Sequence, residues 1–190
     1  MLIPMHNMNI ILIAGYAGSG KTTAATILLK HVPKGKCTAF AKQVKDDVAA
    51  KYNIDRELLD TQEGKATIYK ERITYRDLLI EYSAKVKEDT QNPGIWAEKV
   101  KEEILREPSV QTWILHDWRY LAELDVLSKI PGAVIHTIRL IRDNKSSNSP
   151  SEHELDRTPV DRMIWNIGTI DALDGALQHF MHTNHKFVYP

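Results

Sequence analysis

The sequence predicts an α/β fold with a parallel sheet of about five strands and helices on both faces. Two features carry that reading. First, "NIILIA" (9–14), "KCTAF" (36–40), "VQTWILHD" (110–117) and "AVIHTIRL" (133–140) are short apolar runs of the kind buried on both faces of a sheet. Second, stretches with helical spacing lie between them, and strand–helix–strand succession with short connections favours parallel strands joined by right-handed crossovers.

Taken in order, the first strand is followed by a glycine-containing turn and a helix from Lys21 to about His31. "AKQVKDDVAAKY" (41–52) reads as a mixed helical segment, and from Asn53 to Tyr75 the pattern is polar with weak periodicity and no firm assignment. In "YRDLLIEYSAKVKED" (75–89), Leu78, Leu79, Tyr82 and Val86 share one helical face. "IWAEKVKEEILRE" (95–107) is a second amphipathic helix, separated from it by an Asn92-Pro93-Gly94 turn. "RYLAELDVLSKI" (119–130) links the third and fourth strands. "RMIWN" (162–166) and the helical "TIDALDGALQHFMH" (169–182) continue the alternation, and "TNHKFVYP" either adds an edge strand or packs. The polar "RDNKSSNSPSE" (142–152) is an interior loop, with Ser149 or Ser151 placed to cap a helix beginning after it.

At 190 residues and 43% hydrophobic content, one domain spanning 1–190 is expected. Lys and Arg (25) balance Asp and Glu (25), so no global field draws the chain to a polyanion or a membrane surface. The lone Cys37 reads as a packing residue, in keeping with a reducing compartment. "MLIPMHNMNI" lacks the pattern of an export signal, and residues before Met8 read as an extension or an alternative start. A soluble cytoplasmic protein is the expectation.

Gly15, Gly20, Lys21 and Thr22 satisfy G-x-x-x-x-G-K-[ST] between a buried strand and a helix N-terminus, where that pattern has its mechanism. Backbone amides from Gly15 through Ala17, Gly18, Ser19 and Gly20 to Thr23 would surround phosphate oxygens, with the helix N-terminus adding partial positive charge. Lys21 would reach the β- and γ-phosphates and Thr22 would ligate Mg²⁺. A nucleoside triphosphate with magnesium, ATP as donor, is implied. It completes the expected fold as a P-loop three-layer sandwich.

The third strand ends at Asp117, a carboxylate at the sheet's C-terminal edge that can hold Mg²⁺ directly or through water. Trp118 follows it, where a hydrolytic motor would place a glutamate. An Asn-Lys-x-Asp guanine reader is also missing, since Asn144-Lys145 continues as Ser-Ser. Arg76, Arg119, Arg139 and Arg142 instead supply cations outside the loop, as transfer of a phosphoryl group between two anions requires. Each also has a plain reading as a surface charge.

The succession "GYAGSGKTT", "FAKQVKDD", "TYRDLLIEYSAKVKEDTQNPGIWAEKV", "ILHDWRYLAELDVL" and "SEHELDRTPVDRMIWNIGTIDAL" resembles the phage-type deoxynucleoside monophosphate kinases, and more distantly dephospho-coenzyme A kinase and phosphomevalonate kinase. The resemblance runs from about Met8 to Leu173. It implies an acceptor-binding helical segment at about 41–106 and a short lid at about 142–152. Phe40 and Lys45 would lie at the acceptor base and phosphate, Arg76 would grip the monophosphate, and Trp96 would wall the base pocket. Asp117 and Arg119 would serve the magnesium and the transferring group, with Glu123 orienting them. Arg139 and Arg142 would belong to the lid and Asn166 to the donor adenine's edge. Two departures stand out: Glu81-Tyr82-Ser83 replaces a common glutamine and glycine, and the lid is brief.

Trp113 and Trp165 read as core, and Trp96 as either core or pocket wall. His116 reads as a buried or sheet-top histidine and "SEHELD" as a solvated loop. Three functions stay open. They are a nucleoside monophosphate kinase, a P-loop kinase acting on a hydroxyl such as 5-hydroxymethyluracil in DNA, and a nucleotide-binding regulator without an acceptor. The neutral net charge disfavours the DNA substrate, a small-molecule acceptor is the expected partner, and a homodimer stays open.

Overall fold

The computed structural model describes residues 7–143 and 153–187. Strand β1 (Met8–Ala14) is buried from Asn9 onward and leads through the glycine loop into α1 (Lys21–His31), which packs Ala24, Ala25, Ile27 and Leu28 inward. Strand β2 (Gly35–Thr38) comes next, and Phe40 opens α2 (Phe40–Tyr52) instead of closing the strand as the apolar run suggested.

The weakly periodic region resolves into small pieces, each with its own cap. Asp55 accepts from the Glu57 amide at a 3-10 turn (Arg56–Leu59), and Thr61 accepts from the Gly64 amide at α3 (Gln62–Ala66). An antiparallel hairpin of β3 (Ile68–Lys70) and β4 (Ile73–Thr74) leads into α4 (Tyr75–Asp89), whose Thr74 and Asp77 form a reciprocal capping box. Then come α5 (Ile95–Arg106), β5 (Thr112–Leu115), α6 (Leu121–Ser128), β6 (Ala133–Ile141), β7 (Arg162–Trp165) and α7 (Ile170–Thr183).

The main sheet has five strands, all parallel, in the order β2-β5-β1-β6-β7. Side chains alternate across it. Ile11 and Ile13 join Leu28, Leu173, Leu177 and Phe180 beneath α1 and α7. Ile10 and Leu12 join Val100, Ile104, Trp113 and Leu127 beneath α5 and α6. These are the three layers expected. A third cluster of Val44, Val48, Leu59, Leu78 and Trp96 lies among α2, α4 and α5, beyond the sheet. Among the described residues no helix is long and apolar enough to cross a membrane.

The expectation for Trp165 needs correction. Trp165 is 61% exposed, not core, because β7 is an edge strand whose alternate residues Met163 and Trp165 face outward while Ile164 is buried. The final described residues add no strand; Phe187 packs on the His136 ring at 4.7 Å. Residues 144–152 of the expected lid, with Ser149 and Ser151, lie outside the described residues.

His136 is fully buried on β6, with Nε2 3.0 Å from Asn9 Oδ1 and Nδ1 3.0 Å from the Asn184 amide nitrogen. Those partners fit a neutral ring, donating to Asn9 and accepting from Asn184. Burial lowers its pKa to about 4. Below about pH 6.5 the unfolded chain takes up a proton that the folded chain refuses. Acid therefore withdraws up to about 3 kcal/mol as pH falls through that window to about 4. Urea unfolding across pH 4–7 should show this slope in the natural protein and lose about one proton's worth of it in His136→Phe.

Candidate functional site

The chain leaves β1 through α1 on one face of the sheet and leaves the neighbouring β5 through α6 on the other, so a crevice opens between the C-terminal ends of these two strands. Gly15 leaves β1 with φ +141°, and a Cβ on it would lie 2.5 Å from the Leu140 carbonyl oxygen and 2.7 Å from Ser19 Oγ. Gly20 has φ +99°, and a Cβ there would meet Asn166 Nδ2 at 2.4 Å. Only glycine allows both the left-handed turns and this close approach.

No side chain caps α1, and its first turn carries no acidic residue. The leading amides of a helix have no intrahelical acceptors, so this end attracts anions. Lys21 Nζ donates to Gly15 O at 2.6 Å and Tyr16 O at 2.9 Å, which folds the ammonium over the loop. Ala17, Gly18, Thr22 and Thr23 are exposed around the mouth, whereas the Ser19 hydroxyl is buried with no hydrogen-bond partner among the described residues. Asn166 fastens the loop from β7, donating through Nδ2 to Ser19 O at 2.8 Å and through its backbone to Ile141 O at 2.7 Å.

Asp117 stands just past β5. Its Oδ1 accepts from the Phe40 amide at 3.0 Å and its Oδ2 from the Ala41 amide at 2.8 Å. It is therefore the N-terminal cap that α2 lacks locally, since Ala39 offers no side-chain acceptor. This explains why the chain turns helical at Phe40. Glu123, the third residue of α6, reaches back in the same way to the amides of Arg119 at 2.9 Å and Tyr120 at 3.0 Å. Burial, reinforced by the Asp117 charge, lifts its carboxyl to about 8, although the two amides favour the ionised form.

A cavity of about 330 Å³ lies against Gly15, Tyr16 and Ser19 and brings Arg119, Arg139 and Arg142 to its walls. Arg139 is occupied there, its guanidinium donating to the carbonyls of Leu155, Asp156 and Thr158. Asp156 in turn accepts from Tyr16 Oη at 2.9 Å and lies 2.7 Å from His153 Nδ1, which ties the loop to the segment beyond β6. Arg119 and Arg142 are exposed at the cavity.

The remaining expected residues divide into two sets. Lys45 pairs with Asp60 at 2.7 Å, and Arg76 donates to Gln62 Oε1 at 2.5 Å. Both lie on the helical annex. Phe40 and Trp96 are each 3% exposed and belong to the packed interior. Neither presents a ring face as the expected base platform, because Phe40 fills the core under α5 and α6 and Trp96 fills the annex core.

Lys65 had no sequence signal, since it stands in the unassigned polar stretch. It is half-buried on α3, with its ammonium held below the ordinary lysine range by burial and by Lys45 and Arg76, Arg119 adding to them against Asp60. Tyr16, His153 and Asp156 likewise become visible as a group only when folding joins them.

No protein-family model matches the chain, and no curated protein does. Solved structures do. TT1252 from Thermus thermophilus superposes with a TM-score of 0.53 at 15% identity, over 94% of this chain and 98% of that one. A cysteine-to-alanine mutant of the APS kinase CysC from Mycobacterium tuberculosis gives a TM-score of 0.48 at 10% identity, over 94% and 99%. Dephospho-CoA kinase from Campylobacter jejuni gives 0.48 at 13%, over 92% and 96%. The similarity to TT1252 is one of fold, and it agrees with the α/β architecture above.

The raised Glu123 pKa makes stability greatest below about pH 4.5, where both folded and unfolded chains hold the proton, and withdraws it as pH climbs through about 8. Glu123→Gln keeps an oxygen for the two amides but cannot ionise. Thermal melts should show the variant gaining about 2–4 kcal/mol on the natural protein at pH 8 and little at pH 4.5.

Proposed function

We propose that the chain transfers a phosphoryl group from ATP to a nucleoside or deoxynucleoside monophosphate, giving ADP and the diphosphate, with Mg²⁺ required. The single observation that carries this reading is an uncapped helix N-terminus behind a glycine loop that opens directly onto a cavity carrying Arg119 and Arg142. One polyanion fits the loop and a second fits the cationic side.

The loop suits a triphosphate tail on its own geometry. Cβ atoms at Gly15 and Gly20 would fill the cradle, and the buried Ser19 hydroxyl lacks a partner among the described residues. The Thr22 hydroxyl and the Asp117 carboxylate are the hard oxygen donors that Mg²⁺ prefers, and a carboxylate bound by two amides retains lone pairs for a cation or its waters. Mg²⁺, when bound there, would neutralise charge on the phosphate tail. Lys21, which now bonds the Gly15 and Tyr16 carbonyls, would exchange them for phosphate oxygens. Arg119 and Arg142 would face the transferring group, and Lys45 and Arg76 the acceptor. Asn166 holds the loop in register.

A phosphate acceptor is already anionic near neutral pH and needs no general base. That favours it over a hydroxyl acceptor, because Asp117 already caps α2 with both oxygens and its remaining lone pairs are those read above as serving Mg²⁺ or its waters, not a hydroxyl proton. The test is a coupled ADP-release screen over ribo- and deoxyribonucleoside monophosphates, with hydroxymethyluracil-containing DNA as an additional acceptor. At least one monophosphate should stimulate release, and Lys21→Ala should reduce transfer about 10²-fold or more at unchanged melting temperature. Stimulation by the DNA alone, or by no acceptor, would overturn the reading.

A further inference from the structure

The Lys65 ammonium has no hydrogen bond or ion pair with any described residue, although the residue is half-buried. A desolvated ammonium without a counterion is costly, and such groups are ordinarily paired. Its charged neighbours come from four different parts of the chain. They are Lys45 on α2, Asp60 after the 3-10 turn, Arg76 on α4 and Arg119 between β5 and α6. The only anion among them, Asp60, is divided between Lys45 and Arg56, each at 2.7 Å. Gln62, three residues before Lys65 and so on the same side of α3, accepts from Arg76 and steers that guanidinium. Arg119 also lines the cavity against the glycine loop, so the cluster is continuous with the transfer site.

We propose that Lys65 completes, with Lys45, Arg76 and Arg119, a seat for the dianionic phosphate of a phosphomonoester acceptor, and that it selects such an acceptor over a hydroxyl. This rests on the phosphotransfer reading above. A phosphomonoester dianion offers three strong acceptor oxygens and two charges, which four converging cations can match. Seating it gives Lys65 the counterion it lacks and restores its hold on its proton. At a pH above the free group's titration, binding therefore takes up a proton.

The test uses the full chain labelled with ¹³C at lysine Cε, the Lys65 signal being assigned by its loss in Lys65→Arg. Lys65 should titrate below the ordinary lysine range and move upward when inorganic phosphate is added, in the natural protein and equally in Lys21→Ala. Lys65→Met should weaken phosphate about tenfold or more and raise the monophosphate KM at unchanged ATP affinity, with Lys65→Arg recovering most of the loss. A phosphodiester dinucleotide should not move the signal, which separates a terminal phosphate from a nucleic-acid backbone. The proposal is overturned if phosphate leaves the Lys65 titration in place, if the response disappears in Lys21→Ala, or if Lys65→Met binds phosphate as the natural protein does. A Lys65 response to phosphate with no monophosphate accepting a phosphoryl group upholds the anion seat and overturns the kinase reading. Transfer with an unaltered KM in Lys65→Met does the reverse.

Discussion

A helix beginning without a cap is the constraint on which the rest depends. Helix α1 starts at Lys21 straight after a left-handed glycine, so its leading amides look outward to whatever occupies the crevice. Such an end can be tolerated only where the backbone before it is held firmly. The buried β1 supplies one anchor, Asn166 from β7 another, and the bond from Tyr16 to Asp156 a third. The sheet is in this sense a mounting for one exposed set of peptide dipoles.

A pair of carboxylates organises the opposite wall. Asp117 and Glu123 each replace a missing helix cap, one for α2 across the sheet edge and one for α6 within its own first turn. Through Asp117 the annex that carries Lys45 is tied to the strand beside the glycine loop. Through Glu123 the backbone of Arg119 is fixed at the boundary between cavity and annex. Asp117, which reads as a metal ligand in the linear sequence, and Glu123, which reads as its orienter, thus spend much of their bonding capacity on architecture.

Legibility in the sequence tracked the range of the forces involved. The helices α1, α4 and α7 were readable to within a residue or so, because local spacing and adjacent glycines or threonines set their ends. The start of α2 was not readable, because its cap comes from Asp117, far along the chain. Trp165 was misplaced because an isoleucine- and tryptophan-bearing strand looks the same at the edge of a sheet as in its middle. The glycine loop could be identified from its pattern alone. Lys65 could not, since what distinguishes it is the company of cations from three other segments, with the nearby Asp60 already paired to Lys45 and Arg56.

The strand order has a kinetic corollary. Asn9 of β1 pairs with Thr112 on one side and Val134 on the other, so the central strand gains no partner until distant segments arrive. Contacts of such long sequence separation form late, after the entropy of closing large loops has been met. During synthesis the first strand must therefore wait, apolar and unpaired, while the helical annex is made. Strand β1 is made before either of its partners and completes its geometry only after both, and the period before β5 and β6 emerge is when it is most exposed to aggregation.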